Sequence, residues 1–92
     1  MSGTVTDNPA QHRFEMTVEG EVAAVYYRQE GDALVLVHTE VPQALSGQGV
    51  GSRLAQGVFD LMRATGRKAI VTCPFLVKWA NRHPEVNDVV VG

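Results

Sequence analysis

The chain has 92 residues, 45% of them apolar and 20% charged, with 8 Lys plus Arg against 10 Asp plus Glu and a formal net charge of −2. Domains usually need about 50 to 200 residues, so this length allows one core, and the balance of residue types is that of a folded domain rather than a disordered chain. The basic residues are scattered apart from Arg67 and Lys68, which speaks against nucleic acid as a partner, because that surface needs concentrated positive charge.

Residues 1–11 are small and polar with one proline, and read as a flexible arm preceding a single small domain over 12–92. Phe14, Met16 and Val18 then alternate with Arg13, Glu15 and Thr17, the period of a strand with one buried face. Glu19-Gly20 offers a turn into a second strand over Val22–Gln29, and Glu30-Gly31-Asp32 a turn into a third over Ala33–Val41. In that third strand Leu34, Leu36, His38 and Glu40 fall on one face, and Val35, Val37, Thr39 and Val41 on the other. Both faces are apolar at its start, so it is expected to be central and covered on both sides.

Pro42 ends the ladder. Val50, Leu54, Val58, Leu61 and Met62 then recur at helical spacing, with Arg53, Gln56, Asp60 and Arg63 opposite, and Gly66 stands where a C-terminal cap belongs. Lys68–Thr72 reads as a short strand and Phe75–Arg82 as a helix with Pro74 at its first position, stopped by His83-Pro84. Val86–Val91 can add a turn or a strand edge. The order β-β-β-α-β-α predicts an α/β (α+β) layer with helices packed on a mixed, mainly antiparallel sheet.

Cys73 is the single cysteine and cannot form an internal disulfide. No apolar run approaches the ~20 residues that cross a bilayer, and Met1–Gln11 lacks the basic start and apolar stretch of a secretory signal. The expectation is a cytoplasmic protein with no membrane partner. Its oligomeric state is not legible.

Ser46-Gly47-Gln48-Gly49-Val50-Gly51-Ser52 lies between a strand and an amphipathic helix. Its glycines leave backbone N–H groups unobstructed beside the positive end of a helix, which suits a phosphate or pyrophosphate; the plainer alternative is a tight corner. A P-loop needs a Lys after the last glycine and none is present. A dinucleotide fingerprint needs a third glycine where Ser52 stands.

Residues 46–51 resemble the [QR]-x-x-G-x-[GA] pattern of the GNAT acyltransferase superfamily, with Gly49 and Gly51 matching and Ser46 at the place usual for Gln or Arg. His38-Thr39-Glu40-Val41-Pro42, Cys73-Pro74-Phe75 and Arg82-His83-Pro84-Glu85 extend the likeness over residues 12–90, to the small single-domain YjdJ-like or NATD1-like group. The resemblance implies an N-acetyltransferase with acetyl-CoA as co-substrate, an amine of a small molecule or peptide as acceptor, and no metal. It implies that the third strand and the strand after the long helix splay to admit acetyl-CoA. Val41 would then lie beside the pantetheine arm, and Ser46, Gly47, Gln48, Gly49, Val50, Gly51 and Ser52 around the pyrophosphate, with Phe75, Trp79 and Arg82 as further coenzyme contacts.

Three residues are candidates for the chemistry. Glu40 could take a proton from the amine, His38 lies two positions away on the same face, and Cys73 precedes a helix start that can favour a thiolate. The ordinary alternatives are a solvated strand end, a half-buried strand histidine and a small apolar residue. The family commonly places a tyrosine near the position of Trp79, where its hydroxyl protonates the departing thiolate, and an indole N–H cannot do so. The rival reading is therefore a non-catalytic acyl-CoA-binding or protein-interaction module on the same fold.

Overall fold

A computed structural model of the chain describes residues 4–91. Five strands form one sheet in the order β1-β2-β3-β4-β5: β1 (Thr6–Asn8), β2 (Arg13–Val18), β3 (Glu21–Glu30), β4 (Ala33–Glu40) and β5 (Lys68–Val71). The first four are antiparallel neighbours, and β5 runs parallel to β4. Helix α1 (Val50–Ala64) makes the crossover between β4 and β5, and α2 (Pro74–Asn81) follows β5.

The meander follows from its turns. Glu19 and Gly20 take φ values of 51° and 79°, the left-handed pair that matches the twist of two flanking strands. Gly31 takes φ 60° at the next two-residue turn. In β2, Phe14, Met16 and Val18 face inward, as their period predicts.

One core cluster holds the sheet and both helices together. Phe14, Met16, Val25, Leu34 and Leu36 pack with Leu54, Val58, Phe59 and Met62 of α1 and with Leu76 and Trp79 of α2. Helix α1 ends in two bonds around Gly66 at φ 73°, from Gly66 N–H to the Arg63 carbonyl and from Arg67 N–H to the Met62 carbonyl. The apolar tail returns to the sheet: Val90 bridges to Ala69, and Val86 and Val89 are buried. Arg63 clamps this tail through Asp88 (2.8 and 2.9 Å) and the Glu85 carbonyl (2.9 Å).

Three expectations change. First, the arm before residue 12 is ordered over its described part: β1 pairs with β2, and Asp7 accepts bonds from Tyr27 (2.5 Å) and Arg67 (3.3 Å); residues 1–3 lie outside the described residues. Burial and the bond to Asp7 push the Tyr27 hydroxyl up to about 12. Second, β4 is not central but second from the β5 edge of the sheet, and helices cover only one of its faces. Val35 is 1% exposed yet outside the core cluster, flanked in the sheet by Arg28 and Ile70.

Third, β4 does not alternate evenly. Tyr27 pairs with Leu36 and Tyr26 with His38, so Val37 is an unpaired bulge residue. Beyond it the faces exchange. Thr39 joins the face of Leu34 and Leu36, while His38 and Glu40 join that of Val35.

Two predictions follow from this packing. A Cβ built on Gly57 would lie 2.3 Å from Val5 Cγ2 and 3.0 Å from Val5 Cβ, so Gly57→Ala is expected to lose about 1–3 kcal/mol by overpacking despite its better helix propensity. Urea unfolding checks this, and adding Val5→Ala should recover part of the loss. The second concerns acid. The Arg63 bonds hold the Asp88 carboxyl down at about 2, against an ordinary value of 3.8. A lowered folded pKa contributes stability that is complete above the ordinary value and lost as pH falls through the folded one. Between pH 4 and 2 the Val86–Val91 segment should therefore lose amide-exchange protection, and Arg63→Ala should show the same loss already at pH 7.

Candidate functional site

Two features meet where β4 leaves β5. The first is an exposed strand edge. Pairing of β4 with β5 runs only from Ala33 to Leu36. At its end the Leu36 carbonyl accepts from Thr72 N–H (3.1 Å), Cys73 N–H (3.1 Å) and Thr72 Oγ1 (3.2 Å). Beyond that node β4 continues to Glu40 with β3 on one side and, among the described residues, no strand on the other.

The second feature is the glycine loop. A short 3-10 turn over Gln43–Leu45 leads to Ser46, and Gly47 and Gly49 take φ values of 80° and 70°, a region that side chains rarely tolerate. Gly49 is the N-cap of α1, with no side-chain capping bond. Among the described residues no acceptor is recorded for the backbone N–H groups of Gly47 to Ser52. The first turn of α1 carries no acidic residue. Unfilled donors at the positive end of a 15-residue helix are a ready anion site.

The remaining predicted residues surround these features unequally. Val50 is buried, and its side chain belongs to the core rather than to the surface of the loop. Gly51 lacks a side chain where the Phe75 ring packs: a Cβ there would stand 3.0 Å from Phe75 Cζ. Phe75 itself is 43% exposed. Val41 is partly buried against the core at the end of β4. Arg82 caps the far end of α2, is exposed, and among the described residues is joined to the loop by no side-chain bond.

His38 and Glu40 stand together on the sheet face without helices, His38 Nε2 lying 3.3 Å from Glu40 Oε2. Sequence reasoning missed their neighbours. The Tyr26 ring stacks on His38 with centroids 5.9 Å apart, and Arg13 Nη1 donates to the Tyr26 hydroxyl at 2.9 Å. Cross-strand register brings these residues together, and nothing local in the sequence marks it. Glu15 is held below its ordinary carboxylate range by bonds from Asn8 and Arg13.

Cys73 lies on the other side of the sheet. It is 4% exposed, and its Sγ is 3.3 Å from Thr39 Oγ1. This contact exists because the Val37 bulge turns Thr39 toward the core. Trp79 is also buried, and its Nε1–H donates to Ser52 Oγ at 2.9 Å. Among the described residues no cluster of His, Cys, Asp and Glu could hold a metal ion, and no helix is long and apolar enough to cross a membrane. Two grooves, one along Val5, Met16, Gly57 and Leu61 and another around Asp7, Tyr27 and Arg67, contain none of the predicted site residues.

Chemically the arrangement offers a cradle of amides for an anion, an extended edge that can bond a linear amide-containing ligand, and a carboxylate with an imidazole across the sheet. The family model of the GCN5-related N-acetyl-transferases matches residues 13–89. Protein NATD1 of Mus musculus is 31% identical over 77 residues, covering 80% of this chain and 70% of that protein. Protein NATD1 of Gallus gallus is 35% identical over 63 residues, covering 67% of this chain and 57% of that protein. The NMR solution structure of a GCN5-like protein from Staphylococcus aureus superposes with a TM-score of 0.71 at 26% identity, covering 96% of this chain and 87% of the other.

Proposed function

The chain belongs to the GCN5-related N-acetyl-transferase family, and from that premise we propose that it transfers an acetyl group from acetyl-CoA to the amine of a small molecule or peptide. The observation that carries this reading is the junction of two unfilled sets of donors. The Gly47–Ser52 amides suit the coenzyme diphosphate, and the free β4 edge toward Val41 suits the amide-rich pantetheine arm.

Bound this way, the thioester end reaches the gap beyond Leu36, where Thr39 and Cys73 meet. The acceptor approaches from the helix-free face of the sheet. Its neutral nitrogen attacks the thioester carbonyl, a C–N bond forms and the C–S bond breaks. Glu40 takes the proton lost by the amine, directly or through His38. The leaving thiolate takes a proton from solvent, since the Trp79 N–H is not an acid and is already engaged with Ser52. Transfer is direct in this scheme. A covalent acetyl-cysteine would first need the Cys73 thiol, 4% exposed and held against Thr39 Oγ1, to turn out of the core toward the thioester.

Calorimetry with acetyl-CoA tests binding, and no heat at millimolar concentration would remove the proposal. Thiol release against a panel of amines and peptide amines tests catalysis. Tight binding with no release across that panel would favour the binding-module reading, to which the Trp79–Ser52 bond gives some support. In an active protein, Glu40→Gln should lower kcat/KM about a hundredfold with coenzyme affinity unchanged. Cys73→Ala should retain transfer, and abolition of turnover in a folded Cys73→Ala protein would overturn the direct route.

A further inference from the structure

Trp79 does more than fill the core. The residue is 6% exposed and lies between two rings, with Phe59 at a centroid distance of 5.6 Å and an interplanar angle of 8°, and His83 at 3.8 Å and 12°. His83 is itself fixed, its Nδ1–H donating to the Trp79 carbonyl at 2.7 Å. With both faces of the indole held, Nε1–H has one direction available, and at 2.9 Å in that direction is Ser52 Oγ.

The donor inventory gives this bond a consequence. An indole N–H can only donate, whereas a serine hydroxyl has one proton and two lone pairs. Ser52 Oγ is therefore engaged as an acceptor, and its own proton must point away from Trp79. Near a helix start, a serine hydroxyl can otherwise turn back to a backbone carbonyl of the preceding turn. No such bond from Ser52 occurs among the described residues. Ser52 is exposed and third in α1, beside the unfilled N–H groups of Val50 and Gly51. A phenylalanine at position 79 would leave the hydroxyl free to rotate, and a tyrosine could donate or accept. Only the indole enforces one polarity.

We propose that Trp79 is a positioning residue that fixes Ser52 as a dedicated hydroxyl donor to a phosphate oxygen of the coenzyme diphosphate. This rests on the coenzyme-binding reading above and adds to it a side-chain donor and the residue that aims it. The Phe59 and His83 stacks thus serve the loop as well as the core.

The test uses coenzyme A and S-acetyl-pantetheine, which shares the thioester arm but has no diphosphate. Trp79→Phe keeps an aromatic ring between Phe59 and His83 and removes the donor; Ser52→Ala removes the acceptor at an exposed position. Ser52→Ala should weaken coenzyme A binding roughly tenfold, the scale of one charge-assisted hydrogen bond, Trp79→Phe roughly threefold, the scale of freeing one hydroxyl rotor, and both should leave S-acetyl-pantetheine binding unchanged. The double variant should be no weaker than Ser52→Ala alone.

Trp79 is the single tryptophan, so its indole N–H gives one resonance in the wild-type protein. That resonance should shift on addition of coenzyme A and stay put with S-acetyl-pantetheine, a readout that needs no variant to fold. Unchanged coenzyme A affinity in Trp79→Phe, multiplying losses in the double variant, equal weakening of both ligands, or an unmoved resonance at saturation would each overturn the proposal while leaving coenzyme binding intact. If the wild-type protein binds no coenzyme A at all, the function reading fails and this inference falls with it.

Discussion

Leu36 is where β4 changes neighbours, and the arrangement of the site depends on that change. Its carbonyl collects donors from Thr72 and Cys73 and so closes the pairing with β5. The next residue, Val37, has no partner on β3. A strand that continued evenly would keep His38 and Glu40 on the face of the helices and hide Thr39 from the core. The bulge does the reverse, separating a carboxylate–imidazole pair on the helix-free face from a hydroxyl–thiol pair on the core side. The two pairs thus belong to opposite faces of one strand, which suits a reaction between two molecules arriving from different directions.

The second constraint is electrostatic. A helix start leaves N–H groups without partners, and most proteins satisfy them with a serine, threonine, aspartate or asparagine at the cap. Here the cap is Gly49, in a left-handed conformation that opens the amides instead of covering them. Gly47, Gln48, Gly49 and Ser52 around this helix start are exposed, so water can reach the loop that carries most of these donors. The buried cluster of α1 and α2 side chains holds the helix in place without help from its own cap.

Much of this was legible in the residues. The alternation of Phe14, Met16 and Val18, the glycines at left-handed positions in two hairpin turns and the α1 cap, and the 3.6-residue spacing of α1 all act locally, so a linear reading reaches them. The likeness carried by Gly47–Ser52 and Cys73-Pro74 is borne out by the family match over residues 13–89. What escaped depends on contacts between distant positions. Val37 looks like any other β-branched strand residue, and its status as an insertion exists only relative to β3. The polar segment Thr6–Asn8 reads as a loose arm because its partners, Tyr27 and Arg67, are 20 and 60 positions away. Trp79 could be placed on its helix, but not joined to Ser52 across 27 residues.

Those distant partners of β1 impose an order of assembly. Pairing with β2 is a nearby event, whereas the seat of Val5 against Gly57 requires a formed α1, and the reach of Arg67 to Asp7 requires the chain to have returned through the crossover. Residues 5–8 leave the ribosome before nearly everything they touch. Their native surroundings exist only once α1 and Arg67 are in place, so their final docking reports completion of the domain rather than its nucleation.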